Sequence, residues 1–136
     1  MVEIQMAYEG KLRCTSTHGP SGTRLISDAP KDNMGEGASF SPTDLVATAL
    51  GTCMLTTMGI VAQRSAIDMS GATAHVTKEM VTSPFRQVGV LTVEIIVPRP
   101  TTDEQQQKLK DAALGCPVKR SLHPDVQMPV TFKFGV

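Results

Sequence analysis

Two cysteines carry most of the reactive potential of this chain. Cys53 lies in "ALGTCMLTTMG", inside a stretch with no charged residue from Leu45 to Gln63. A thiol in that setting can be a small core hydrophobe, a metal ligand, or a nucleophile kept from bulk water. Cys116 lies in "LGCPVKRSL". Leu109, Ala112 and Ala113 precede it at helical spacing, so Cys116 continues their buried stripe. Pro117 cannot prolong that helix but suits the first position of a new turn, which leaves Cys116 at a helix N-terminus, where free N–H groups favour a thiolate. The same motif also fits a small buried residue beside a helix break.

Taken together, Cys53 and Cys116 are two core-facing thiols on separate helices. Helices packed on a common sheet could bring the sulfurs to the few Å that a disulfide requires, which makes reversible dithiol chemistry a candidate function. Zinc is the competing chemistry, with Cys14, His18, His75 and His123 as further donor types, but no C-x-x-C or H-x-x-x-H spacing accompanies them, and no metal is expected. Cys14 shares an extended face with Leu12 and reads as a packed thiol. His75 alternates outward with Thr73 and Thr77, His123 precedes Pro124 in a turn, and His18 stands in a loop near Arg13, where a place at a pocket rim is open to it. Met54 and Met58, one turn apart, suit either the core or the apolar tail of a ligand.

The rest of the composition narrows the function classes. The 136 residues are expected to form a single domain, 1–136, large enough to bury its own core. Thirteen basic side chains balance thirteen acidic ones without runs of either sign, which argues against a nucleic-acid face. With no Trp and one Tyr, base stacking is poorly supplied as well. Glu3 and Glu9 stand where a secretory leader would be basic and then apolar, so a cytoplasmic location with reduced thiols is expected. Thr48, Thr52, Thr56, Thr57 and two glycines dilute the charge-free run, and no Trp or Tyr flanks it, so a buried soluble helix is expected rather than a membrane span. A helix uncharged on all sides needs cover on all sides, and a chain this small supplies it poorly, which hints at a partner subunit.

The elements that must position the thiols are legible. Residues 2–9, 11–17 and 23–27 alternate or are rich in β formers around the "HGPSG" turn and predict an antiparallel meander. A glycine-containing loop, "APKDNMGEGASF", leads to the long helix, whose start is marked by Ser41 as cap, Pro42 at the first position and Asp44 three residues after the cap. Strands are predicted over 72–81 and 88–97. A second helix is predicted from Thr101 with Glu104 or Thr102 with Gln105 as capping box, and a last strand over 126–134 with Val130, Phe132 and Phe134 on one face.

"GEGASFSPTDLVATALGTCMLTTMGIVAQ", followed some sixty residues later by "GCPVKRSL", resembles the osmotically inducible protein C and organic hydroperoxide resistance family of thiol peroxidases. The likeness covers nearly the whole chain and keeps the family's order of elements. It implies an α+β, OsmC-like fold, with antiparallel sheets packed on a long central helix, and an intertwined homodimer with its sites at the subunit interface. By the same resemblance Cys53 matches the peroxidatic cysteine that attacks an organic hydroperoxide, and Cys116 the resolving cysteine that closes a disulfide with it. An external dithiol or lipoyl-type reductant would then restore both, with no bound cofactor. Arg13 best matches the family arginine that pairs with the thiolate, and Arg24 is second. The sequence departs from the pattern at Thr43, where peroxide-active relatives carry a glutamate, so Arg13 is expected to lack an acid that orients it. Asp44, nine helical residues from Cys53, is about 13 Å along the axis and already explained as a cap. That departure keeps a second function open: a stress or ligand-binding protein with the fold and both thiols but little turnover.

Overall fold

The computed structural model describes all 136 residues, as two compact units, Met1–Val46 and Ala47–Val136. In the first, strands β1 (Ile4–Gly10), β2 (Arg13–His18) and β3 (Arg24–Asp28) form the expected antiparallel meander in the order β1-β2-β3. The β1–β2 turn is tight. Gly10, Lys11 and Leu12 all take positive φ (85°, 55° and 64°), a conformation that costs Lys and Leu more than Gly. Two bonds hold it: the Leu12 amide donates to Tyr8 Oη at 3.3 Å, and the Ala29 amide donates to the Leu12 carbonyl at 3.2 Å. Leu12 is therefore a turn residue and not a strand-mate of Cys14. Cys14 sits half-buried between Tyr8 and Ser27 in the ladders. The alternation of Ile4, Met6 and Tyr8 is real, yet all three are more than half exposed in the single chain.

The loop after β3 folds back on that strand. Phe40 and Ile26 carbonyls accept from the Asp28 amide (3.0 Å) and the Ser39 hydroxyl (2.9 Å), and the Gly37 amide donates to the Ala29 carbonyl at 3.2 Å. A Cβ on Gly35 would lie 1.7 Å from that same carbonyl oxygen, so only glycine fits there. Helix α1 (Pro42–Arg64) then starts as the sequence predicts: Ser41 Oγ accepts from the Asp44 amide at 3.0 Å, and Asp44 Oδ2 accepts from the Ser41 amide at 2.9 Å.

In the second unit, β4 (Thr73–Val81), β5 (Gln87–Val97) and β6 (Val130–Phe134) form a sheet in the order β4-β5-β6. β4 and β5 are antiparallel, whereas β6 runs parallel to β5, from Val93 opposite Val130 to Val97 opposite Phe134. The expectation of wholly antiparallel sheets is corrected here. The reason is the crossover between the two strands, which contains helices α2 (Asp103–Leu114) and α3 (Pro117–Ser121) and is long enough to return the chain to the starting end of β5. Leu91, Val93, Ile95 and Val97, alternate residues of β5, are fully buried, each worth roughly 1.5–3 kcal/mol of transfer free energy.

By length and composition α1 would pass for a membrane span. Here it buries one stripe, Ala47, Leu50, Gly51, Met54, Met58 and Ala62. Gly51 lets it approach β4 closely, since a Cβ there would come within 2.9 Å of Val76 Cγ2. The helix is not covered all round by its own chain: Thr48, Thr52, Thr56 and Ile60 are exposed. The Thr52 and Thr56 hydroxyls donate to the Thr48 and Thr52 carbonyls, each at 2.8 Å, so this side asks little of a covering surface in polar terms.

Candidate active site

Helix α1 places Cys53 half-buried, next to the fully buried Met54, which is itself one turn before the fully buried Met58. Both methionines are core. Cys116 is positioned by the break between α2 and α3. Thr102 and Gln105 cap the start of α2 with reciprocal bonds, so of the two predicted capping boxes this is the one that forms. At the other end the Gly115 amide closes on the Asp111 carbonyl (3.1 Å), and the Cys116 amide closes on the Ala113 carbonyl (3.2 Å). Pro117 then opens α3, leaving Cys116 as its cap, with Sγ accepting from the Lys119 amide at 3.4 Å. Leu109, Ala113 and Cys116 form one buried line; Ala112 is half-buried beside it.

The fold brings the two thiols together. Cys53 and Cys116 are free, and the Cys53 side chain is within hydrogen-bonding reach of the Cys116 sulfur. Burial pushes the Cys116 thiol above its ordinary pKa. The Lys119 and Val118 amides pull the other way, while the hydrogen bond to Cys53 and the charge of a Cys53 thiolate add to the rise. The pull of the helix end towards a Cys116 thiolate is outweighed: a side chain with no exposed surface loses more by desolvation than two cap amides return. The pair can carry a nucleophile on α1 and, beside it, a protonated partner thiol at the head of α3.

In the first unit Arg13 is 34% exposed and has two acidic neighbours. Its Nη2 donates to Glu36 Oε2 at 2.6 Å, and its Nε lies 3.7 Å from Oδ2 of the buried Asp28. Arg13 does not lack an orienting acid, as the Thr43 departure had suggested. The missed signal was the hairpin register, which sets Arg13 and Asp28 directly opposite each other. β3 extends to Asp28, one residue past the end expected from the sequence. The Thr43 hydroxyl stands 3.2 Å from the Ser41 hydroxyl. Arg24, exposed, pairs with Thr17 across the ladder and lines a shallow polar recess with Gln5, Glu9 and Thr15.

The histidines have local roles. His18 Nδ1 bonds the Ser21 hydroxyl at 2.6 Å within its turn, His75 faces out opposite Glu94, and His123 Nδ1 accepts from the Asp125 amide at 3.1 Å. No three His, Cys, Asp or Glu side chains converge in a way that could hold a metal ion.

Two small sheets, a long helix and a buried free thiol at a helix break define an α+β protein. The family model for OsmC-like proteins matches residues 35–131. The solved structure of a proposed osmotic stress induced and detoxification response protein from Psychrobacter arcticus 273-4 is 42% identical, with a TM-score of 0.91 over 97% of this chain and 96% of that one. The chain belongs to the OsmC-like protein family. Its fold is shared with the OsmC-like protein of Mycoplasma pneumoniae (TM-score 0.82, 15% identity, 98% of this chain and 96% of that one). It is shared also with the organic hydroperoxide resistance protein OsmC of Legionella pneumophila (TM-score 0.79, 14% identity, 98% and 96%). No curated protein sequence matches the chain.

Proposed function

We propose that this protein is a thiol-dependent peroxidase that reduces organic hydroperoxides through a Cys53–Cys116 cycle, in defence against oxidative stress. The observation that carries the reading is the contact of two free thiols, one half-buried on α1 and the other buried at the cap of α3. The Cys53 thiolate attacks the O–O bond of R–O–O–H, takes one oxygen to become a sulfenic acid, and releases the alcohol R–OH after protonation. The Cys116 thiol then displaces water from that sulfenic acid, and a disulfide forms. An external dithiol, of lipoyl or similar type, returns two electrons and two protons to regenerate both thiols. Arg13 is the cation that favours the Cys53 thiolate, with Arg24 the next to test.

The working form in this reading is a cytoplasmic homodimer, with neither nucleic acid nor membrane as partner. A second copy would cover the exposed side of α1 and the apolar face of β1, where Ile4, Met6 and Tyr8 stand open. A second function, a stress or ligand-binding protein with little turnover, is favoured by Thr43 in place of the glutamate of peroxide-active relatives. Adding one equivalent of cumene hydroperoxide to the reduced protein decides between them. The peroxidase reading expects the three free thiols per chain to fall to one, with Cys14 remaining. An unchanged count refutes it.

A further inference from the structure

Arg13 and Asp28 are partners in the β2–β3 ladder, so their side chains leave the sheet on the same face. Asp28 is 1% exposed and immobilised: its amide donates to the Phe40 carbonyl at 3.0 Å, and its Oδ2 accepts from the Ala38 amide at 2.9 Å. That Oδ2 also lies 3.7 Å from Arg13 Nε, while Asp28 Oδ1 and Arg13 Nε are buried and make no hydrogen bond to the protein. Taking a carboxylate out of water beside an incompletely bonded guanidinium is a poor stability device, and apolar residues in such places commonly serve a fold as well or better. The burial of Asp28 is better explained by what it does to Arg13. Glu36, the second partner, is 76% exposed, so it can hold Nη2 only loosely against water.

We infer that Asp28 is the positioning residue for Arg13: its buried carboxylate, 3.7 Å from Nε, draws that edge of the guanidinium by charge, so that the donors left over keep one orientation towards an anion. The inference rests on the reading that Arg13 favours the Cys53 thiolate, and goes beyond it by naming the group that holds the arginine. A planar fork presents its donors usefully only when its own plane is set. In this reading the Asp28 carboxylate has two effects of opposite sign on an anion held by Arg13. Its charge opposes a nearby anion, whereas its hold on Arg13 supports one. The sign of the change on removing the charge therefore tells which effect governs.

The test is stopped-flow oxidation of the reduced full-length protein by cumene hydroperoxide, followed from about pH 5 to pH 9, across the range in which protein thiols ionise. Asp28→Asn keeps the side-chain volume and can still accept from the Ala38 amide, so the loop fold is retained. It is expected to slow Cys53 oxidation about tenfold or more, a typical effect of losing orientation, and to move the rise of the rate with pH upwards. It should cost more than Glu36→Gln, and should add nothing in an Arg13→Ala background. If Asp28→Asn does not fold, Arg13→Lys, which keeps the charge but has no Nε–H edge for Asp28 to hold, should show the same slowing. Faster oxidation in Asp28→Asn, or a loss that persists in the Arg13→Ala background, overturns the inference while leaving Arg13 in its role. An Arg13→Ala protein that reacts at the wild-type rate removes that role and the inference with it.

Discussion

Cys53 and Cys116, on different helices and far apart in the sequence, meet in the fold with the Cys116 thiol held in its protonated form by burial. That relationship sets two chemically identical side chains apart: Cys53 is half-buried, whereas Cys116 is fully buried.

Hydroperoxide should therefore convert the wild type to an intramolecular disulfide. Cys116→Ser should stop at a trappable sulfenic acid on Cys53, and Cys53→Ser should form neither. Intact-mass analysis with peptide mapping checks this, and a first oxidation found on Cys116 would reverse the assignment.

The raised pKa of Cys116 has a pH signature. Since the folded pKa lies above the unfolded one, the stability that this group contributes is complete below the unfolded value of about 8.5 and is lost as pH rises through the folded value. Urea unfolding from pH 7 upward should show the wild type losing stability above about pH 8.5, and Cys116→Ser losing less. Equal slopes would show that Cys116 does not govern the loss.

Assembly is testable through α1. Sedimentation of the wild type at micromolar concentration should give a dimer, and Thr52→Arg, which sets a charge on the exposed side of the helix, should weaken it. A folded wild-type monomer under these conditions would end the dimer proposal.

Packing between α1 and β4 predicts a cost for Gly51→Ala in spite of the better helix propensity of alanine. The new Cβ would lie 2.9 Å from Val76 Cγ2, and the stiff valine cannot turn away without leaving its rotamer. Overpacking of this kind costs about 1–3 kcal/mol, against a propensity gain of about 1 kcal/mol, so thermal melting should show a lower Tm. A higher Tm would mean that the contact relaxes freely.

Local signals told a good deal about this protein. The Ser41–Asp44 cap, the break at Pro117, the outward alternation of His75 and the meander strands were all readable, because caps, proline and period-two alternation depend on residues close in sequence. The direction of β6 was not, since an apolar strand looks the same whichever way it runs, and only the α2–α3 crossover decides it. The tertiary structure alone decided the balance at Cys116, where the N-terminal cap is visible in "GCPVKRSL" but the burial that outweighs it comes from residues distant in the chain. It also decided the partners of Arg13. Asp28 and Glu36 reach that side chain through strand register and a loop folded back over Gly35, and both are relations between segments that no single stretch of sequence contains.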